Sequence, residues 1–110
     1  MVLPRLLSII FQDAADKVKS ELNELGFSSI FTYQCDITNK EQVQQVAAET
    51  RKDVGEIDFL FNNAGILIAK DILDLSNEEI RRTFEVNTIS QFWVCQFINL
   101  LISNSNFFAC

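Results

Sequence analysis

The chain has 110 residues, 48% of them hydrophobic and ten of them Phe, which is enough apolar material for one small core and argues against wholesale disorder. Nine basic against 15 acidic side chains leave a net charge of −6, which excludes nucleic acid and anionic membrane as partners held by charge. The absence of His removes the commonest general base and the commonest metal ligand, so no metal site is expected.

From the start, "MVLPRLLSIIFQ" carries Pro4 and Arg5 within an apolar run too short for a signal peptide or a membrane span. Its "LLSIIF", 6–11, reads as a strand. Ala15, Val18, Leu22 and Leu25 then fall at helical spacing, and Gly26 supplies a helix stop. "SIFTYQCD", 29–36, is β-branched and aromatic and reads as a second strand. "TNKE", 38–41, has the spacing of a capping box, with Thr38 as the cap and Glu41 reaching back. The helix it opens places Val43, Val46, Ala47, Thr50 and Val54 on one face and ends at Gly55.

"IDFLF", 57–61, is the third predicted strand, and it leaves the sheet at "NNAG". "SNEE", 76–79, is a second capping box, opening a helix predicted to run to about residue 103. Ile80, Phe84, Val94, Ile98 and Ile102 share one arc of that helix, with Asn87 and Gln91 projecting from its middle. Val86, Ile89, Trp93, Phe97 and Leu100 form a second arc, which implies burial on two sides. Alternating strands and helices predict an α/β fold with a parallel sheet.

Cys35, Cys95 and Cys110 have neither metal-ligand spacing nor the look of a disulfide framework, so reduced thiols in a reducing, cytoplasmic compartment are expected. Taken singly, "CDIT", "NNAG" and Asn87 each fit a strand end, a turn and a satisfied helical amide. Their joint spacing says more. In open α/β sheets, ligands bind where strands leave the sheet.

"YQCDITN" at 33–39, "VGEIDFLFNNAGI" at 54–66 and "EEIRRTFEVNTISQFW" at 78–93 together resemble the short-chain dehydrogenase/reductase family. The last stretch is most similar to the branch of 17-beta-hydroxysteroid and retinol dehydrogenases. The resemblance covers about residues 12–102. It implies a partial Rossmann-like, doubly wound parallel sheet of about three strands with flanking helices, and an NAD or NADP cofactor.

It also implies roles. Asp36 would accept from the adenine amino group, the Ile37 amide would bond the ring nitrogen, and Asn63 would meet the adjacent ribose. Ala64 and Gly65 would let the backbone lie close to the dinucleotide. Asn87 would be the catalytic residue that helps hold a proton-relay water.

The family's TGxxxGxG fingerprint has no counterpart among Gly26, Gly55 and Gly65, and no Tyr-x-x-x-Lys pair exists, since position 37 follows Tyr33 with Ile. The acid that would select NAD aligns near Ser8, with Asp13 the nearest carboxylate, so NAD and NADP stay open. Residues 1–110 are therefore expected to be one partial NAD(P)-binding domain, inactive alone, of an oxidoreductase acting on a lipophilic steroid- or retinoid-like substrate. The parent protein would be associated with endoplasmic reticulum or lipid droplets.

Two further expectations follow. The strand at 6–11 would fill the central gap of the sheet, in the order 29–36, 6–11, 57–62, touching Phe31 and Phe59 through Ile9 or Ile10. The helix at 80–102 would pair subunits through Trp93 and Ile89, as a homo-oligomer or as a non-catalytic fragment bound to a full-length relative.

Overall fold

A computed structural model describes residues 6–9, 12–57 and 60–98. β1 (Leu6–Ile9) pairs in parallel with β2 (Ile30–Tyr33), Leu6 opposite Ile30 and Ile9 opposite Tyr33. The crossover is α1 (Gln12–Glu24), which packs on β2. A parallel pair needs such a crossover, because a tight hairpin can only return antiparallel.

α1 ends as its composition dictates. Gly26 takes φ 93°, its N–H reaches the Asn23 carbonyl at 3.0 Å, and the Phe27 N–H reaches the Leu22 carbonyl at 3.1 Å. This is a Schellman closure, and the left-handed residue it requires is glycine. Ala15 is buried and Val18 and Leu22 half-buried, as their spacing predicts, but Leu25 lies beyond the last helical residue and is 73% exposed.

α2 (Lys40–Asp53) buries Val43, Val46, Ala47 and Thr50 along one stripe. Its cap differs from the expectation by one residue: Asn39, not Thr38, accepts from the Gln42 N–H. Thr38 is already committed to Asp36, as described below. The core gathers Val43, Ala47, Val54, Ile57, Val94 and Ile98 between α2 and α4, with Ile37, Leu60, Trp93 and Phe97 packed against it. Removing this apolar surface from water, at about 25 cal/mol per Å², stabilises the packing of α2 on α4.

The expected third strand is reduced among the described residues. Ile57 forms an isolated bridge, while Leu60 and Phe61 are outside any strand. The predicted contacts of Ile10 and Phe59 lie outside the described residues.

The last predicted helix is three segments. α3 (Asn77–Phe84) starts at the predicted capping box, with Ser76 Oγ accepting from the Glu79 N–H and Glu79 accepting from the Ser76 N–H. Residues Glu85–Ile89 follow as a π-helical turn, and α4 (Ser90–Ile98) continues from it. In the π turn the Ser90 N–H reaches back to the Glu85 carbonyl, five residues away.

One extra residue in a turn rotates everything after it by about 100° relative to a continuous α-helix. Neither predicted arc therefore survives intact. The inward line is Val86, Ser90, Val94 and Ile98, whereas Ile80 and Phe84 are exposed, and Trp93 and Phe97 pack on the chain's own core. Leu100 and Ile102 lie outside the described residues. No described helix is long and apolar enough to cross a membrane.

Candidate functional site

Just past β2, Asp36 closes a tight local turn. Its Oδ1 accepts from the Thr38 N–H at 2.9 Å and from the Thr38 hydroxyl at 2.7 Å, and its own N–H donates to Gln42 Oε1 at 2.9 Å. The two Thr38 bonds hold the carboxyl below the usual carboxylate range, and Arg82 on α3 adds to the effect, so Asp36 is ionised at neutral pH. Its side chain is exposed, and among the described residues Oδ2 has no hydrogen-bond partner. The next N–H, that of Ile37, also has no acceptor among the described residues, while the Ile37 side chain packs on the core. An anionic acceptor thus stands next to an open backbone donor, both fixed by the half-buried Ile37 side chain and the turn that Asp36 and Thr38 close.

Neighbouring groups carry no such opening. Tyr33, the sole tyrosine, donates its hydroxyl to Asp53 Oδ2 at 2.9 Å. Burial, the Asp53 bond and the Asp53 charge push its pKa up to about 12. Burial and the adjacent Asp36 likewise push the Cys35 thiol up. Neither is an activated acid, base or nucleophile.

The second part of the site is the turn 62–66. Asn62 and Asn63 divide their tasks. Asn62 points inward, donating to Cys95 Sγ on α4 at 3.0 Å, and Asn63 is exposed, its N–H on the Phe61 carbonyl.

Asn87, in the π turn, uses both ends of its amide on one residue: Oδ1 accepts from the Ile66 N–H and Nδ2 donates to the Ile66 carbonyl, each at 2.8 Å. This pairing copies the exchange between opposed residues of a β-ladder. A Cβ built on Gly65 would lie 3.4 Å from Asn87 Oδ1. That is an ordinary contact, so the helical amide alone does not require glycine at this position. Gln91 adds a bond to the Ala64 carbonyl at 2.8 Å.

The structure thus ties the turn of Ala64 and Gly65 to the helix through Asn87 on Ile66 and Gln91 on the Ala64 carbonyl. Asp36 and Ile37 lie just past β2, Ile37 packing on the core and Asp36 within the field of Arg82 on α3. Asn87 is exposed, and each end of its amide keeps one further bonding position, a second hydrogen on Nδ2 and a second lone pair on Oδ1. Asn87 and Gln91 stand out in the sequence as polar groups on an apolar stripe, whereas no sequence pattern marks the Thr38 bonds that orient Asp36.

These residues fit the adenosine end of a dinucleotide cofactor. Adenine offers an exocyclic amino donor beside a ring-nitrogen acceptor, and Asp36 Oδ2 with the Ile37 N–H is the complementary pair. The pyrophosphate and nicotinamide ends find no glycine-rich turn and no Tyr-x-x-x-Lys in this chain.

The short chain dehydrogenase family model matches residues 7–106. Epidermal retinol dehydrogenase 2 of Mus musculus is 30% identical over 96 residues, covering 86% of this chain and 31% of that protein. The 17-beta-hydroxysteroid dehydrogenase 13 of Homo sapiens is 33% identical over 79 residues, covering 72% of this chain and 26% of that protein. Among solved structures, a 7 alpha-hydroxysteroid dehydrogenase complexed with NADH and 7-oxo glycochenodeoxycholic acid superposes with a TM-score of 0.78 at 30% identity, covering 88% of this chain and 38% of that one. The chain spans well under half the length of the relatives it matches. With a model match over nearly all its residues and the matching α/β geometry, the chain belongs to the short-chain dehydrogenase family.

Proposed function

We propose that this chain is the nucleobase-holding segment of an NAD(P)-dependent oxidoreductase that interconverts an alcohol and a carbonyl on a lipophilic, steroid- or retinoid-like substrate. The observation that carries the reading is the open acceptor–donor pair of Asp36 Oδ2 and the Ile37 N–H, set by Thr38 at the strand end of a family chain. Likeness to retinol and 17-beta-hydroxysteroid dehydrogenases supports the substrate class.

When bound, the nicotinamide cofactor supplies or accepts hydride. Asp36 and Ile37 bind and orient the adenine, Asn63 meets the ribose, and Ala64 and Gly65 keep the turn's backbone near it. Asn87 fixes that turn through Ile66 and helps hold the water that relays protons. Proton delivery to the carbonyl oxygen needs a general acid, and Tyr33, bonded to Asp53, is not one. The isolated chain is therefore inactive.

Placing residues 7–106 in the mouse retinol dehydrogenase in place of its matching segment tests this. The folded chimera should oxidise retinol with NAD(P), followed at 340 nm, while the isolated 110-residue chain should show no turnover. A folded chimera without cofactor affinity, or turnover by the isolated chain, would contradict the proposal.

A second reading, a non-catalytic fragment or homo-oligomer pairing through 80–102, is favoured by Ile80, Phe84 and Phe92, which stay exposed on that segment, Phe92 by 70%. Light scattering on the purified chain should then show a species of twice its mass that Phe84→Asp with Phe92→Asp returns to monomer.

A further inference from the structure

The turn that carries Asn63, Ala64 and Gly65 is held at two points, and only one of them is Asn87. Both Asn87 bonds fall on a single residue, Ile66. A segment gripped at one residue can still pivot about it. The second point is Gln91, one helical turn further on, whose Nε2 donates to the Ala64 carbonyl at 2.8 Å and to the Val86 carbonyl at 3.2 Å. One nitrogen thus spends both of its hydrogens, one on the turn and one on the π turn of its own helix.

The Val86 carbonyl is itself anchored. It accepts from the hydroxyl of Ser90, which is fully buried, at 2.6 Å. The chain of contacts therefore runs from a buried hydroxyl, through the displaced carbonyl of the π turn, to the turn's backbone two residues before the Asn87 grip.

We propose that Gln91 is a positioning residue, which fixes the orientation of turn 64–66 by tying the Ala64 carbonyl to the π-turn carbonyl of Val86. The side chain at this point must be a neutral donor with two hydrogens on one atom, since two carbonyl oxygens face it. A carboxylate would be repelled by both, and methionine fills the same volume with no hydrogen to give. The device deepens the proposed function, because calling the turn a cofactor turn rests on that reading. The two-point grip itself does not.

The test uses the full 110-residue chain, labelled with nitrogen-15, and three forms: wild type, Gln91→Met and Gln91→Glu. Gln91→Met should speed amide exchange at Ile66 by about fivefold, the weight of one hydrogen bond, and leave Val46 and Ala47 in α2 unchanged. Gln91→Glu should behave likewise near neutrality. As pH falls through the carboxyl's pKa, the acid gains a hydrogen to donate to Ala64, so the protection factor at Ile66 should recover in this variant and not in Gln91→Met.

Unchanged Ile66 protection in Gln91→Met would overturn the proposal. So would loss shared equally with α2, or a Gln91→Glu chain with no recovery at low pH. Titration with adenosine 5′-monophosphate separates the two layers. A loosened turn in variants of a wild type that does not bind the nucleotide would leave the positioning intact and remove the cofactor reading. Nucleotide binding with an undisturbed turn in both variants would do the reverse.

Discussion

Replacing Asn87 with alanine removes both hydrogen bonds that seat Ile66 on the helix. Each neutral bond is worth about 1 kcal/mol net, which sets a ceiling near 2 kcal/mol for the pair. Two effects reduce it. Both bonds are exposed, so the Ile66 peptide is rehydrated and pays no penalty for burial without a partner. Alanine is also the better helix former, by roughly 0.5 kcal/mol. The expected net loss is about 0.5–1.5 kcal/mol, read as a lower urea midpoint by fluorescence of the sole tryptophan, Trp93, which packs on the core. The local signature is sharper, because Ile66 exchange should accelerate far more than exchange in α2. A variant as stable as wild type with Ile66 protection intact would refute the assignment of Asn87 as the clamp.

Other outcomes follow from single contacts. Gly65→Ala should change stability by less than about 0.5 kcal/mol, since the added Cβ meets Asn87 Oδ1 at an ordinary 3.4 Å, so any large loss in that variant should appear in nucleotide affinity and not in the urea midpoint. Ser76→Ala breaks the capping box and should cost about 1 kcal/mol in chemical denaturation. The phenol absorbance at 295 nm should titrate with its midpoint near 12, and Asp53→Asn should bring it down part of the way towards 10, burial retaining the rest. Because folding raises this pKa, the linked stability is fully present below pH 10 and lost as pH rises through about 12. Asp36 runs the other way: its depressed carboxyl stabilises the Thr38 turn above the unfolded value of 3.8 and ceases to do so as acid drives pH through the lowered one, visible as loss of the Thr38 amide's protection.

Much of this was legible from local chemistry. Gly26 and Gly55 end helices with φ of 93° and 86°, and Ser76 with Glu79 forms the predicted reciprocal cap, because these signals depend only on near neighbours. "TNKE" misled by one residue for a reason the local pattern hides: Asp36, two positions earlier, takes the Thr38 hydroxyl, and Asn39 caps in its place. The helix after Ser76 shows the deeper limit. A hydrophobic arc assumes one constant turn, and the π turn at 85–89 breaks that constancy, putting Phe84 outside and Val86, Ser90 and Val94 inside. Asn87 and Gln91 looked like misplaced polar groups on a buried stripe. They are the two hands on the NNAG turn.

The proposed adenine contact is made by Asp36 and the Ile37 N–H. Titrating the labelled chain with adenosine 5′-monophosphate tests it most directly against Asp36→Asn, which keeps an Oδ1 acceptor for Thr38 but replaces Oδ2 with a donor facing the adenine amino group. Wild-type shifts should centre on the Ile37 amide and residues 63–66 and should be lost in Asp36→Asn with the fold unchanged. Shifts centred elsewhere, or equal affinity in the variant, would contradict it.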